Sequence, residues 1–159
     1  MNNSGLPIPN SFFLTAGAAE GYTPLNAFDA ALLDAGVGDC NLVKLTSIIP
    51  PSCRKVAPFR PRFGSLIPVA FASMNANLPG EVIAAAVACG IPADDSLPGV
   101  VMEYSAKGTA KNAEAIVRDM VSHAFKIRNR ELKETLSISI EHRVEKLGAV
   151  FASVVFGYE

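Results

Sequence analysis

Charged side chains are scarce in this chain of 159 residues: Asp, Glu, Lys and Arg make up 18% of it, and hydrophobic residues make up 50%. Average soluble domains carry roughly 25% charged residues. The deficit predicts more apolar surface than one small monomer can hide, so we expect a homo-oligomer. The formal net charge is -1, without a basic half. Because nucleic-acid-binding proteins normally show a basic face, no nucleic-acid partner is expected.

Cysteine and histidine are also few. Cys40, Cys53 and Cys89 form an odd set without a CxxC pair, and His123 and His142 have no second ligand at metal-binding spacing. A disulfide framework and a zinc site are therefore both unsupported, and no metal is expected. No stretch approaches the roughly 18 apolar residues that span a bilayer, and no signal peptide is visible. We expect a cytoplasmic protein that does not enter a membrane.

Two helices stand out in the sequence. The first has Thr23 as its N-cap, Pro24 at its first position and Gly36 as its stop signal. The second begins after Thr109 and is predicted to reach about Leu132, because apolar residues recur along it at positions i, i+3, i+4 and i+7.

Apolar runs between and around these helices predict strands. A loose arm is expected over residues 1–10, a single domain over residues 11–159, and a loop over residues 50–63. The predicted strands cover residues 11–18, 41–49, 64–74, 82–89, 99–104, 136–144 and 149–156. This order indicates an α+β fold, with helices layered on mostly antiparallel sheet, and not an alternating βαβ fold.

The segment KLTSIIPP at residues 44–51 is the most informative part of the chain. It holds a Thr-Ser pair at the end of a predicted strand, where backbone strain can build up. Attack by Ser47 on the carbonyl of Thr46 would need a donor for the oxyanion, and Asn41 offers a side-chain amide. Six extended residues span roughly 20 Å, so Asn41 reaches Ser47 only if the chain bends. Thr-Ser pairs at strand ends are common, so the pair alone favours an ordinary strand end.

Two carboxylates are candidates for further chemistry. Glu103 follows an apolar run at residues 99–102, where burial would disfavour its charged form and provide an acid; it could also point outward from a half-exposed strand. Asp29 is predicted on the apolar face of the first helix, between Leu25 and Leu32. A buried carboxylate there would pair with an internal Arg or Lys, or with a substrate guanidinium.

Five segments together resemble the pyruvoyl-dependent arginine decarboxylases: residues 21–29, 41–51, 78–81, 102–104 and 141–148. They follow the family's order and span most of the chain. One departure is that the residue before the cleaved serine is often Ser in the family, whereas this chain has Thr there. Since Thr keeps the carbonyl, processing should survive. The resemblance implies an αββα sandwich of mostly antiparallel sheets with flanking helices, assembled as a trimer or dimer of trimers whose active sites are shared by neighbouring protomers.

The resemblance also implies residue roles. The chain would cut itself between Thr46 and Ser47 with the help of Asn41, and Ser47 would become a covalently bound pyruvoyl group, the cofactor. Glu103 falls on the family's proton donor.

The implied reaction converts L-arginine to agmatine and carbon dioxide. Asp29 falls on the residue that binds the guanidinium, and Leu25, Gly38 and Cys40 are expected beside it in the substrate site. Two alternatives remain open at this point: an unprocessed, non-catalytic paralogue acting as an assembly or regulatory subunit, and a pyruvoyl decarboxylase of another amino acid.

Overall fold

Two β-sheets packed face to face, with one helix on each outer side, form the computed structural model, which describes residues 6–159. In chain order the elements are β1 (Ser11–Glu20), α1 (Pro24–Asp34), β2 (Asn41–Lys44), β3 (Ile48–Ile49), β4 (Arg54–Lys55), β5 (Leu66–Ala76), β6 (Val82–Pro92), β7 (Gly99–Lys107), α2 (Ala110–Ile127), β8 (Leu132–Arg143) and β9 (Gly148–Gly157). The predicted α+β sandwich is confirmed.

The strand order separates the two sheets clearly. The first sheet has the order β2-β5-β9-β1-β4, and the second has the order β3-β7-β6-β8. Most neighbouring strands are antiparallel, while β1 with β4 and β2 with β5 run parallel. The short strands β2 and β3 therefore follow each other in the chain but lie at the edges of different sheets.

Strand alternation explains how the layers are filled. Phe12 packs between the two sheets with Val87, whereas its neighbour Phe13 points to the outer side of the first sheet, where it packs with Ala31 of α1. Helix α2 covers the second sheet through Val117 and other apolar residues at helical spacing. The long central strands thus have apolar partner layers on both faces, which is the main source of stability for such a sandwich.

The second helix ends earlier than the sequence pattern predicted. It stops at Ile127, and Leu132 already belongs to β8. Asn129 has a φ of 50°, and the N–H of Arg130 donates to the carbonyl of Phe125. This left-handed turn ends the helix. Neither helix within the described residues is long and apolar enough to cross a membrane.

Three segments around the strands also differ from the sequence prediction or extend it. The single strand predicted over residues 41–49 is wrong, since it is split into β2 and β3. The predicted loop over residues 50–63 contains β4, which pairs with β1. Of the predicted arm, residues 1–5 lie outside the described part of the chain, and Asn10 is held by the other end of the chain through hydrogen bonds with Glu159.

A single carboxylate joins the end of β1 to the connection between β8 and β9. Glu20 accepts hydrogen bonds from the backbone N–H groups of Glu145, Lys146 and Leu147 at 2.8–3.0 Å, and its Oε1 lies 2.6 Å from Nε2 of His142. Partial burial raises the pKa of Glu20, but these bonds outweigh it and lower the pKa to about 2. Stabilised as an anion, Glu20 fixes the turn that leads into the central strand β9.

We predict that the hydrogen bonds accepted by Glu20 make the free energy of unfolding depend on pH. The pKa of Glu20 lies at about 2 in the folded chain and at 4.5 for a free glutamate, so its contribution is complete above about pH 4.5 and disappears as the pH falls toward 2. Urea unfolding midpoints at pH 7, 4 and 3 should fall less steeply for Glu20→Gln than for the wild type. Glu131→Gln, a change at an exposed position, is the control. Equal acid sensitivity of Glu20→Gln and the wild type would contradict the prediction.

Candidate active site

The chain crosses from one sheet to the other at residues 45–47. Before the crossing, the N–H of Leu45 still donates to the carbonyl of Val69 in β5, at 2.8 Å. After it, the carbonyl of Ser47 accepts from the N–H of Val101 in β7, at 2.9 Å, and Ile48 pairs with Val100. Ser47 is therefore the residue at which the chain joins the second sheet, and its neighbours on both sides are fixed by pairing to different strands.

This crossing places Ser47 in an unusual backbone conformation. Its φ is +87°, in the region that residues other than glycine seldom adopt. Such conformations cost of the order of 1–3 kcal/mol and persist only where surrounding structure enforces them. Thr46 is exposed and Ser47 is half-buried. The strain anticipated from the Thr-Ser pair thus falls on the serine itself.

Glu103 lies on β7, two residues beyond the partner of Ser47. Its Oε1 is 3.2 Å from Nζ of Lys44, the last residue of β2. Its Oε2 is buried and has no hydrogen-bond partner within residues 6–159. Buried acceptors are almost always paired in folded proteins, so this oxygen is suited to carry a proton or to meet a bound group. The structure brings Ser47, Thr46 and Glu103 into one neighbourhood.

Asn41 does not join this group within the single chain. Its side-chain Nδ2 donates to the carbonyl of Gly64 at 3.0 Å, and its backbone N–H donates to Ser65. In the described part of the chain no hydrogen bond connects Asn41 with Ser47. Pairing of β2 with β5 holds Asn41 in this position.

The prediction that Asp29 lies on the apolar face of α1 is wrong, since its side chain is exposed. The buried face is formed by Ala27, Ala31 and Leu32. Helix α1 lies close to β1 because Gly17 leaves room: a Cβ there would be 2.2 Å from the carbonyl oxygen of Ala31. Close packing of the small residues on β1, which hydrophobic spacing does not reveal, leaves Asp29 on the outward side of the helix.

The outward face of α1 is unusually apolar around that carboxylate. Leu25 is 74% exposed and Leu33 is 52% exposed, and with Asp29 they occupy positions i, i+4 and i+8. Residues at this spacing lie along one side of a helix. Asp29 therefore sits in the middle of an exposed apolar stripe, here called the α1 stripe.

Gly38 and Cys40 line a small cleft at the end of α1. Leu33, Arg60 and Phe63 also line this cleft, which holds about 100 Å³. A Cβ on Gly38 would lie 2.6 Å from Cδ2 of Leu33, so only glycine fits. Burial and the neighbouring carboxylate at position 39 raise the pKa of the Cys40 thiol. Ligand pockets usually hold roughly 300–1,000 Å³, so this cleft is large enough for only part of a ligand-binding site.

Sequence reasoning missed Lys44, Arg60 and Phe63 as members of these two regions. Lys44 belongs to the segment that carries the Thr-Ser pair, so its position offered a signal. Arg60 and Phe63 lie in the predicted loop, and nothing in their spacing indicated that they would meet Gly38 and Cys40.

The strain at residue 47 predicts an unusual response to two substitutions. Ser47→Gly should make the uncut chain more stable than Ser47→Ala by about 1 kcal/mol, because glycine adopts a positive φ without steric cost. Neither variant has the hydroxyl needed for cleavage, so urea unfolding can compare intact chains. Ser65→Gly and Ser65→Ala are the control, because Ser65 is not among the positive-φ residues. At this position the alanine variant should be the more stable of the two. If Ser47→Ala is as stable as Ser47→Gly, the backbone at residue 47 is not strained.

Comparison with known proteins gives a consistent result. A family model described as pyruvoyl-dependent arginine decarboxylase matches residues 11–159. A protein of that name from Methanocaldococcus jannaschii is 45% identical over 96% of this chain and 92% of its own length. Another, from Methanococcus aeolicus, is 41% identical over the whole of both chains, and one from Pyrococcus abyssi is 40% identical over 94% of this chain and 97% of its own. The resemblance carried by the five sequence segments is confirmed, and the chain belongs to the pyruvoyl-dependent arginine decarboxylase family.

Proposed function

We propose that this chain decarboxylates L-arginine to agmatine and carbon dioxide after cutting itself between Thr46 and Ser47. Family membership supports an arginine decarboxylase. The observation that carries the finer proposal is the position of Ser47: a serine held at positive φ, at the crossing between two sheets, on the strand pair that also carries Glu103.

The processing chemistry uses groups that are already adjacent. The Ser47 hydroxyl attacks the carbonyl carbon of Thr46, and the peptide bond is exchanged for an ester that frees the Ser47 amine. Elimination then releases residues 1–46 with a terminal carboxylate and leaves a dehydroalanine at position 47. Its hydrolysis releases ammonia and leaves a pyruvoyl group. The positive φ of Ser47 favours the first step, because the strained conformation is relieved when the peptide bond is lost.

The surroundings of residue 47 fit such a group. When present, it supplies an electron sink for the loss of carbon dioxide. Glu103 then has two tasks, which its geometry allows: it holds a proton on the unpartnered Oε2 and delivers that proton to the α-carbon. General acid catalysis of this kind contributes roughly 10²- to 10⁴-fold in rate.

A second copy of the chain completes the substrate site in this proposal. The α1 stripe exposes Leu25 and Leu33 around Asp29, and Tyr22 beside it is 94% exposed. A neighbouring protomer that covers this surface would bury the Asp29 carboxylate, which then needs a cation. The arginine guanidinium is the bidentate partner that a carboxylate prefers. The cleft with Gly38 and Cys40 would be enlarged in the same contact, and a trimer with shared sites is the assembly expected.

Processing is tested by following the intact chain on a denaturing gel. We expect the wild type to give two fragments, residues 1–46 and 47–159, and Ser47→Ala to remain whole. Ser52→Ala is a matched control, because Ser52 is also a serine at positive φ, 61°, but lies beyond the crossing. It should be cut as the wild type is. A wild-type chain that stays whole after prolonged incubation would instead support the unprocessed paralogue.

Substrate binding is tested by Asp29→Asn, which keeps the shape and removes the charge. If the ion pair with the substrate is desolvated, the loss should be roughly 2–5 kcal/mol of binding, seen as a raised KM for arginine. A neutral amino acid of similar length should be affected far less. An equal loss of binding for both substrates would show that Asp29 does not bind the guanidinium.

The same variant also tests whether sites are shared. Glu103→Gln and Asp29→Asn chains, each nearly inactive on arginine, are co-expressed with different affinity tags, so that each chain folds before it is cut, and mixed assemblies are purified through both tags. If Asp29 and Glu103 of one site come from different protomers, mixed assemblies contain some sites with both native residues and regain activity. Activity equal to the average of the two separate variants would contradict a shared site.

A further inference from the structure

We infer that Lys44 is a positioning residue for the proton donor: it holds one oxygen of Glu103 and leaves the other free to carry the proton. The inference rests on the proposed function, because it assigns Glu103 the role of the acid.

The geometry ties the two sheets together at this point. Lys44 ends β2 in the first sheet, and Glu103 lies on β7 in the second. Nζ of Lys44 is 3.2 Å from Oε1 of Glu103 and 4.4 Å from the centre of the Phe71 ring. The ring gives the ammonium a second contact, which restricts where it can lie. Lys44 therefore fixes the position of the carboxylate across the gap that residues 45–47 span.

The pair is suited to positioning more than to stability. The side chain of Lys44 is 53% exposed and that of Glu103 is 29% exposed. Ion pairs with this much access to water contribute little to folding free energy. What distinguishes this one is its asymmetry: Oε1 is held by Lys44, while Oε2 is buried without a partner among residues 6–159.

Lys44 is also the cation that faces this carboxylate. The neighbouring residues Met102 and Tyr104 pack toward α2, so the charged groups of that helix lie on the other side of the sheet. The strands packed nearby add no competing charge: β3 and β5 have no titratable residue, and β6 has only Cys89, which is buried opposite Val101. Lys107, at the far end of β7, pairs with Glu81.

Removing Lys44 leaves Glu103 in the chain but no longer holds its carboxylate in place. The position of the acid matters for delivery of the proton and not for the binding of arginine, so kcat should fall while KM stays close to its wild-type value.

The variants Lys44→Met and Lys44→Arg test this split. Per processed site, Lys44→Met should lower kcat by about 10- to 100-fold, the scale of a misplaced catalytic group, with KM little changed. Lys44→Arg keeps the cation and should restore most of kcat. Lys133→Met removes the same charge from an exposed position on β8 and is the matched control; it should leave kcat unchanged. A wild-type kcat in Lys44→Met would overturn the inference.

A second measurement does not depend on processing or activity. In the uncut Ser47→Ala chain with ¹³C-labelled glutamate, NMR relaxation can measure the mobility of the Glu103 side chain, and Glu103→Gln identifies its signal. Adding Lys44→Met should make this side chain more mobile because its ion-pair partner is lost, and an unchanged mobility would overturn the inference. The two failures are distinguishable. Full turnover by processed Glu103→Gln would refute the proposed acid itself, whereas a required Glu103 with no response to Lys44→Met would refute only the role of Lys44.

Discussion

The passage of the chain from one sheet to the other at residues 45–47 is the constraint on which the rest of the site depends. Pairing of β2 with β5 fixes the chain up to Lys44, and pairing of β3 with β7 fixes it again from Ile48. Three residues must bridge the two sheets, and Ser47 takes a positive φ where they meet. The same passage brings Lys44 of one sheet within ion-pair distance of Glu103 of the other.

Local signals in the sequence predicted the elements that depend on local interactions. Thr23 and Thr109 cap the two helices as expected, each accepting from the backbone three residues ahead. The Thr-Ser pair and the prolines after it indicated a strained strand end. The sequence could not show that residues 41–49 form two strands, because an apolar run has the same pattern whether its partners lie in one sheet or in two. That difference depends on β5 and β7, which are distant in the chain.

The error on Asp29 has a similar cause. Leu25 and Leu32 flank Asp29 at helical spacing, and this pattern predicted that the carboxylate faces the core. In the structure Leu32 is buried with the small Ala27 and Ala31, because Gly17 lets the helix lie close to the sheet. Leu25 and Leu33 are left outside with Asp29 between them. In the proposed assembly another copy covers this apolar surface, so the carboxylate that we assign to substrate binding lies exposed in a single chain.

The claim that the crossing drives the chemistry can be tested without changing any residue of the site. One glycine inserted between Leu45 and Thr46 lengthens the bridge and relaxes it, while the Thr-Ser pair, Lys44 and Glu103 all remain. A glycine inserted between the exposed residues Asn77 and Leu78 is the control. Both variants should be folded by circular dichroism. Intact mass, followed over the time in which the wild type is cut completely, should show the first variant whole and the control divided into two fragments. Cleavage of the lengthened chain at the wild-type rate would contradict the account.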